Sequence, residues 1–133
     1  MKLTSNFTLE ELIQSPTATE HGIAEQFCPS KEVIENLRLL CEHVLQPVRE
    51  ELGFPLTITS GYRCKRVNDI AKGAKNSDHL YGFAADIICM DNAKLFEALK
   101  KYPFKQLINE YNLSWVHVSY DKSNLKKEIL YIK

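Results

Sequence analysis

The stretch from Ser77 to Asp86 holds a histidine and a carboxylate seven positions apart, with a glycine and two alanines between them. We expect a loop that carries His79, a tight turn at Gly82, and a strand that begins near Ala84. An imidazole and a carboxylate that meet at one point are two of the three protein ligands of a catalytic zinc site. The alternative is that His79 is an ordinary loop histidine and Asp86 a carboxylate at the edge of a strand.

A predicted hairpin near the C-terminus supplies a third ligand and a candidate base. Residues 106–110 and 115–120 have the composition of strands, and the residues between them form the turn. An even-numbered turn that pairs residues whose numbers sum to 227 places Glu110 directly opposite His117. The two valines that flank His117 then face the core, so His117 and Glu110 share the other, open face.

Together these residues have the chemistry of a hydrolytic metal site. Two imidazoles and one carboxylate, from His79, His117 and Asp86, suit zinc and leave a fourth position for water. Zinc lowers the pKa of such a water, and Glu110 could take its proton and deliver it to a leaving amine. The pattern favours hydrolysis of an amide bond. The plainer alternative makes Glu110 a surface charge and His117 a strand histidine.

Arg63 is a candidate for binding negative charge. It follows Ser60, Gly61 and Tyr62, just beyond a predicted strand at 56–59. A guanidinium in that position could bind a substrate carboxylate or stabilise the oxyanion of a tetrahedral intermediate. An exposed arginine in a turn is the alternative.

The N-terminal part of the chain carries helical signals. Thr8 and Glu11 form the pattern of a capping box, which predicts a short helix, and residues 17–29 indicate a loop. Ser30 begins a long helix with a wide apolar stripe, which Pro47 should kink or divide. Further predicted elements are strands at 56–59 and 84–89, helices at 64–72 (stopped by Gly73) and from Asp91 to Pro103, and an edge strand at 128–132.

These elements and the size of the chain predict its organisation. The chain has 133 residues, of which 44% are apolar, and this is the size of one ordinary domain. We predict a single domain over residues 1–133, of α+β class, with N-terminal helices packed on a small antiparallel sheet. We expect the protein to be a monomer.

Charge and hydropathy exclude several kinds of partner. The 17 basic and 17 acidic residues balance, so we expect neither a nucleic acid nor an anionic membrane surface as partner. No run approaches the roughly 20 apolar residues that span a bilayer, so we expect no membrane insertion. No apolar segment of the kind found in secretory signals follows Met1 and Lys2, which predicts synthesis in the cytoplasm.

Several short motifs in the sequence resemble those of a known family. The pattern Ser77-x-His79-x-x-Gly82-x-Ala84-x-Asp86 resembles the signature of the zinc D-alanyl-D-alanine carboxypeptidases and related peptidoglycan endopeptidases. The strand from Trp115 to Tyr120 and the Ser60-Gly61-Tyr62-Arg63 segment with Asn68 also resemble segments of this family. Phe7 to Leu12 and Leu45 to Arg49 resemble the N-terminal part of a small phage-associated branch, so the resemblance covers residues 5–120.

The resemblance implies a zinc-dependent peptidase that acts on the stem peptides of bacterial peptidoglycan. It implies the α+β fold shared with lysostaphin-type peptidases and the hedgehog signalling domain. It assigns one zinc ion per chain to His79, Asp86 and His117. The matching positions give the base to an acidic residue shortly before the last histidine, here Glu110, and oxyanion or substrate binding to Arg63. Tyr62 and Ser77 are assigned to substrate binding.

The sequence departs from the family pattern in two places. Many relatives carry the acidic base three residues before the last ligand, and that position is Ser114 here. Lys105 stands where an acidic residue is expected. The alternative function is therefore a non-catalytic, zinc-stabilised module that binds the cell wall or another protein. For an enzyme made in the cytoplasm, release during lysis would bring it to the wall.

Overall fold

The computed structural model describes residues 1–133, in which helices and strands are interspersed along the chain. The strands are β1 (Lys2–Thr4), β2 (Phe7–Thr8), β3 (Thr57–Ser60), β4 (Ala84–Ile88), β5 (Gln106–Glu110), β6 (Trp115–Ser119) and β7 (Glu128–Ile132). The α-helices are α1 (Leu9–Ile13), α2 (Pro16–His21), α3 (Lys31–Leu40), α4 (Gln46–Leu52), α5 (Lys65–Ile70) and α6 (Asn92–Leu99). Two 3₁₀ turns (Ala24–Phe27 and Asp78–Tyr81) and a π-helical turn (Cys41–Leu45) complete the structure. The predicted α+β class is confirmed.

The chain begins with a short β-hairpin and not with a helix. β1 and β2 pair antiparallel, with Lys2 opposite Thr8. The buried Gln46 side chain holds the turn, because its Oε1 accepts from Thr4 Oγ1 and from the Asn6 amide, each at 2.8 Å. Strands this short show no alternation of apolar and polar residues, so the prediction that helices come first missed them.

Capping side chains set the limits of the first two helices. Thr8 Oγ1 accepts from the Glu11 amide at 3.2 Å, and Glu11 Oε1 accepts from the Thr8 amide at 3.1 Å, so the predicted capping box is confirmed. The predicted loop at 17–29 is wrong, because Ser15 caps α2 and Pro16 occupies its first turn. Proline loses no hydrogen bond in the first turn of a helix, so it can begin one.

The long helix predicted after Ser30 is divided into α3 and α4. Ser30 Oγ accepts from the Val33 amide at 3.2 Å, as expected for an N-cap. Pro47 lies in the first turn of α4 and cannot donate to the carbonyl four residues earlier, which lies in the wider π-helical turn. The backbone stays helical from Lys31 to Leu52, so the predicted disruption near Pro47 takes the form of this π-helical turn.

The main sheet has the strand order β3–β4–β6–β5–β7. Neighbouring strands are antiparallel except β7, which runs parallel to β5 with Leu130 opposite Ile108. The predicted antiparallel sheet is therefore wrong at this edge. Because β6 is antiparallel to β5, it ends beside the start of β5. The chain crosses over there and enters β7, which therefore runs in the same direction as β5.

The β5–β6 hairpin has a different register from the predicted one. A turn at 111–114 pairs Ile108 with His117 and Glu110 with Trp115. Paired numbers therefore sum to 225, and the predicted sum of 227 is wrong by two. Because a shift of two residues preserves the alternation of side chains, Glu110 still shares the face of His117.

The opposite face of the sheet lies in the hydrophobic core. Val116 and Val118 are fully buried, and β4 places Ala85 and Ile87 directly beside them. The same cluster of 23 buried residues includes side chains from α1, α3, α4 and α6. The helices are too short and too polar for any of them to cross a membrane.

Gly82 brings the turn that carries His79 against α3. Its φ is +78°, and a Cβ there would lie 2.8 Å from the Val33 carbonyl oxygen and 3.3 Å from Leu37 Cγ. Glycine is therefore required both by the backbone conformation and by the close approach of the two segments. The tight turn predicted at Gly82 is confirmed.

We predict that Gly82→Ala destabilises the fold more than Gly22→Ala does. Gly22 also has a positive φ, of +65°, but a Cβ there meets nothing within 4 Å. Gly22→Ala should lower the free energy of unfolding by about 1–2 kcal/mol, the cost of a left-handed residue with a side chain. Gly82→Ala should add about 1–3 kcal/mol of overpacking, measured by urea denaturation. Equal losses would contradict the close contact with α3.

Candidate metal and catalytic site

Three side chains with metal-binding atoms meet on the open face of the sheet. His79 lies in the 3₁₀ turn before β4, Asp86 lies on β4, and His117 lies on β6. β4 and β6 pair so that Asp86 is directly opposite His117. One ligand atom from each of the three residues lies within 4.8 Å of the others. The structure therefore brings together the three residues that the sequence indicated.

A hydrogen bond fixes the orientation of the His79 ring. Its Nδ1 lies 2.6 Å from the Gly61 carbonyl oxygen, and because a carbonyl can only accept, Nδ1 is the donor. The other ring nitrogen, Nε2, lies 3.4 Å from Asp86 Oδ1, and it carries the lone pair whenever the ring is neutral. Only 3% of the His79 side chain is exposed, so the ring cannot turn away into solvent.

The His117 ring completes a donor set that fits a metal ion. Its Nδ1 lies 3.0 Å from Asp86 Oδ1, and its Nε2 is buried without a hydrogen-bond partner. Two imidazole nitrogens and a carboxylate oxygen thus converge, with the cleft open beside them. This donor set and the open side match a three-ligand site for a divalent metal such as zinc. The hydrogen bond from His79 to a backbone carbonyl is the usual support for a metal-binding histidine.

The Asp86 carboxylate is held in its charged form. Burial alone would raise the pKa of Asp86, but the hydrogen bonds and charges of His117 and His79 outweigh burial and hold that pKa well below its usual range. A carboxylate must be ionised to bind a metal, so the surroundings keep Asp86 ready to act as a ligand.

The segment that supports His79 is anchored to the end of α1. A Cβ on Gly61 would lie 2.2 Å from the Leu12 carbonyl oxygen, and that oxygen accepts from the Tyr62 amide at 2.8 Å. One residue later, the Arg63 amide donates to the His79 carbonyl at 3.0 Å. The residues from Gly61 to Arg63 therefore bind His79 through both its ring and its backbone.

Gln26 is a supporting residue that the sequence did not indicate. It is fully buried, and its Nε2 donates to the carbonyls of Ile13 at 2.8 Å and Tyr62 at 2.9 Å. Its Oε1 accepts from the Cys64 amide at 2.8 Å. A glutamine within a segment predicted as loop gives no sign of burial, so only the folded structure reveals this bridge.

Asn68 holds the loop that leads to Ser77. Its Nδ2 donates to the Ala74 carbonyl at 2.9 Å, and a Cβ on Gly73 would lie 2.2 Å from its Oδ1. The sequence predicts that Gly73 ends α5 in the left-handed conformation that glycine favours. In the structure Lys72 adopts that conformation, with a φ of 57°, and Gly73 does not. Gly73 is instead required by the close approach of the Asn68 amide.

Arg63 extends its guanidinium into the cleft without an acidic partner. Nη2 lies 3.4 Å from Ser77 Oγ, and the buried Nε has no hydrogen-bond partner. Burial lowers the pKa of Arg63, while the charges of Asp86 and Glu110 act in the opposite direction. Arginine stays charged at any physiological pH, so this is a partly buried cation with donors free to bind a ligand.

The two remaining predicted substrate-binding residues differ in position. Ser77 lines the cleft, contacts Arg63, and also accepts from the His79 amide at 3.2 Å. Tyr62 packs against the hydrophobic core and is not among the residues that line the cleft. Its assignment to substrate binding stays a prediction.

Glu110 lies on the same face as the metal-binding residues and lines the same cleft. Trp115 stands directly opposite it, and His117 is one step further along β6 on that face. Partial burial raises the pKa of Glu110, as does the charge of Asp86, although the nearby histidines and Trp115 lower it. A raised pKa makes a carboxylate a stronger base than an exposed glutamate.

The candidate site lies in one cleft of about 460 Å³. Its walls contain the three candidate metal ligands, the Glu110 carboxylate and the Arg63 guanidinium. Two amide side chains, two lysines, Ser77 and Asp78 make up most of the remaining lining, so the surface of the cleft is mostly polar. A polar cleft of this size admits an extended peptide segment.

Comparison with known families identifies the chain. Residues 5–119 match the family model described as peptidase M15. The chain belongs to the peptidase M15 family. The match spans every residue of the candidate site from Arg63 to His117, and it agrees with the metal dependence that the sequence resemblance implied. A search of curated proteins returns no match to this chain.

We predict that His79→Ala or His117→Ala removes most of the bound metal. After dialysis against trace zinc, the unaltered protein should contain about one ion per chain by elemental analysis. Free zinc at about 100 times Kd should stabilise it by about 2.7 kcal/mol, seen as a higher melting temperature that EDTA reverses.

His43→Ala is the matched control for metal content. His43 stacks on Tyr120, with ring centroids 5.0 Å apart, and does not line the cleft. Its replacement, like that of His21 in α2, should leave the metal content unchanged. A metal content near one in the His117→Ala protein would contradict the ligand set.

Proposed function

We propose that this protein is a zinc-dependent metallopeptidase that hydrolyses a D-alanyl-containing amide bond in peptidoglycan stem peptides. The observation that carries the proposal is the convergence of His79, Asp86 and His117 within 4.8 Å, in a cleft that also presents Glu110 and Arg63. Membership of the peptidase M15 family supports peptide-bond hydrolysis. The D-alanyl substrate rests on the resemblance of the sequence motifs.

His79 Nε2, an Asp86 oxygen and His117 Nδ1 would hold one zinc ion per chain. When bound, zinc acts as a Lewis acid that polarises a carbonyl and lowers the pKa of a water. The chain supplies the remaining functions. It fixes the His79 ring through Gly61, keeps Asp86 ionised, and leaves the cleft side of the site open to substrate.

Glu110 acts in this proposal as the general base and then as the general acid. Its carboxylate takes a proton from the attacking water and delivers it to the nitrogen of the leaving amine. Its position on the face of His117, inside the cleft, supports this role. The raised pKa of Glu110 brings it closer to the value that suits proton transfer near neutral pH.

Arg63 stabilises the negative charge that develops on the carbonyl oxygen. Its guanidinium is held near Ser77 and has no acidic partner within ion-pair distance. Donors placed in advance, in a site partly shielded from water, stabilise a transition state more than the same donors would in solution.

A non-catalytic role is the second candidate function, and a specific observation favours it. The position three residues before His117 is Ser114, which lies in the hairpin turn and donates from Oγ to the Tyr111 carbonyl at 2.7 Å. With no carboxylate there, the domain could retain a structural zinc ion and bind the cell wall or another protein without cutting it.

We further propose that the protein is a monomer that reaches its substrate after release from the cytoplasm. The likeness of its N-terminal segments to a phage-associated branch supports release during lysis. Whether the enzyme removes a terminal residue or cuts an internal bond is decided by digesting purified sacculi and analysing the fragments by mass spectrometry. A terminal D-alanine product identifies a carboxypeptidase, and shortened cross-links identify an endopeptidase.

We predict that Glu110→Gln keeps the zinc and loses the activity. Glutamine preserves the shape of the side chain and leaves the three ligands untouched. The loss of proton transfer should lower kcat by about 10²–10⁴-fold, measured on soluble stem peptides. Elemental analysis of the same preparation establishes that the metal is retained.

Glu20→Gln is the control for this substitution, because Glu20 is an exposed residue at the end of α2, away from the cleft. It should change neither zinc content nor rate. Unchanged turnover in the Glu110→Gln protein would refute the base assignment. Wild-type protein that carries zinc but releases nothing from sacculi or stem peptides would favour the non-catalytic role.

We predict that Arg63→Lys lowers kcat while zinc content stays near one. Lysine keeps the charge but lacks the planar set of donors and cannot reproduce the contact of Nη2 with Ser77. The loss of a donor to the developing oxyanion should cost about 10²–10³-fold in kcat. A change confined to KM would show instead that Arg63 binds substrate before the reaction.

A further inference from the structure

Two lysines lie at the end of the cleft opposite Glu110. On the site face, β5 presents Gln106, Ile108 and Glu110 in order, and Ile108 stands opposite His117. Lys105 precedes this row, and Lys126 precedes β7, whose start lies beside Gln106. Both lysines line the cleft. The metal-binding residues therefore lie between the Glu110 carboxylate and a basic end.

Lys105 is held in place with hydrogen-bonding capacity to spare. Its amide donates to the Ser119 carbonyl at 2.8 Å, and its Nζ donates to Asp78 Oδ1 at 2.7 Å. The side chains of Lys105 and Asp78 are only 21% and 9% exposed. An ammonium carries three N–H donors, and Asp78 takes one of them. The others have no protein acceptor and remain for a group in the cleft.

Lys126 is a second cation with a weakly engaged ammonium. Its Nζ lies 3.5 Å from Glu128 Oε1, beyond a strong ion-pair contact. The same Glu128 oxygen accepts from Gln106 Nε2 at 2.6 Å. The Lys126 side chain is 47% exposed, so it can swing towards a ligand over Lys105.

We propose that Lys105, positioned by Asp78 and assisted by Lys126, binds a carboxylate of the substrate at the end of the cleft away from Glu110. This inference rests on the proposed function and names the part of the substrate that the cleft selects. Lys105 is three residues from Ile108 along β5, about 10 Å at the rise of a strand. An extended peptide covers that distance in about three residues, so the carboxylate lies close to the scissile bond.

The subsite assigns separate tasks to the two kinds of cation. A carboxylate bound at Lys105 leaves Arg63, which has no acidic partner, for the carbonyl under attack. The carboxylate is either the free C-terminus of the stem peptide or a side-chain carboxylate within it. Both present the same group to an ammonium, and amidation distinguishes them.

The test measures binding and does not depend on hydrolysis. Zinc-loaded Glu110→Gln protein is titrated by calorimetry with a D-alanyl-containing stem peptide, its C-terminal amide, and its side-chain amide. One of the two amides should bind at least about tenfold more weakly than the free acid. Introducing Lys105→Gln into the Glu110→Gln protein should abolish this preference for the acid over that amide. Adding Lys105→Arg, which keeps the charge, should retain it.

Lys122→Gln is the matched control, because Lys122 is exposed and lies outside the cleft. It removes one positive charge from the surface and should leave the preference intact. If Lys105→Gln abolishes the preference over the C-terminal amide, the subsite is supported and its ligand is the C-terminal carboxylate. If it abolishes the preference over the side-chain amide, the subsite is supported and its ligand is the side-chain carboxylate. Equal weakening for acids and amides, or none, overturns it, since Lys105 then only supports Asp78.

Failure of this inference is distinguishable from failure of the proposed function. Protein that prefers an acid through Lys105 but never cuts a stem peptide keeps the subsite and loses the enzymatic proposal. Protein that digests sacculi while Lys105→Gln leaves the preference unchanged keeps the enzyme and loses the subsite. Melting temperature and zinc content of each variant identify any that fail to fold.

Discussion

The antiparallel pairing of β4 with β6 is the constraint on which the site depends. It places Asp86 directly opposite His117, with the β-carbons of such a pair about 5 Å apart. The same pairing buries the neighbouring residues of both strands, Ala85 and Val118, in the hydrophobic core. A slip of β4 by one residue would turn Asp86 into the core, on the opposite face from His117, and would turn an apolar neighbour such as Ala85 into the cleft. The hydrophobic effect thus fixes the register, and the register positions two of the three candidate ligands.

The third ligand depends on a different kind of interaction, because His79 lies in a turn outside the sheet. Its ring is oriented by the Gly61 carbonyl, and its backbone by the Arg63 amide. Gly61 in turn packs against the end of α1, and buried Gln26 joins the carbonyl of Tyr62 to that of Ile13. The N-terminal third of the chain therefore contributes no ligand but sets the direction of the His79 lone pair. A buried glutamine with both ends hydrogen-bonded is costly to disturb, since the loss of either partner leaves a polar group without water.

The sequence predicted the site better than it predicted the connections around it. Short motifs determine the Gly82 turn and the capping box at Thr8, so local patterns predicted both. Asp86 and His117 share a face as expected, because alternation along β4 and β6 decides which of their side chains point to the same side. The hairpin register was missed because Tyr111, Asn112 and Leu113 all adopt positive φ, a conformation that only Asn112 among them favours by residue type. The direction of β7 depends on which strand edge is free after folding, so its sequence could not specify a parallel pairing. Gln26 was missed for a similar reason, since only tertiary packing makes it buried.

The corrected register also bears on the missing acidic residue before His117. A residue three positions earlier lies in the turn here, and Ser114 is occupied by its bond to the Tyr111 carbonyl. Within the hairpin, the site-face positions around His117 towards the turn are Trp115 on β6 and Ile108 and Glu110 on β5. Ile108 is opposite His117 and apolar, and Trp115 carries only an N–H donor. Glu110 is thus the one carboxylate that this hairpin presents beside His117. The same geometry that places Ser114 in the turn favours Glu110 for the role that the acidic residue has in relatives. Alternation along β5 puts Glu110 on the face of His117, and its partial burial raises its pKa, which suits a base.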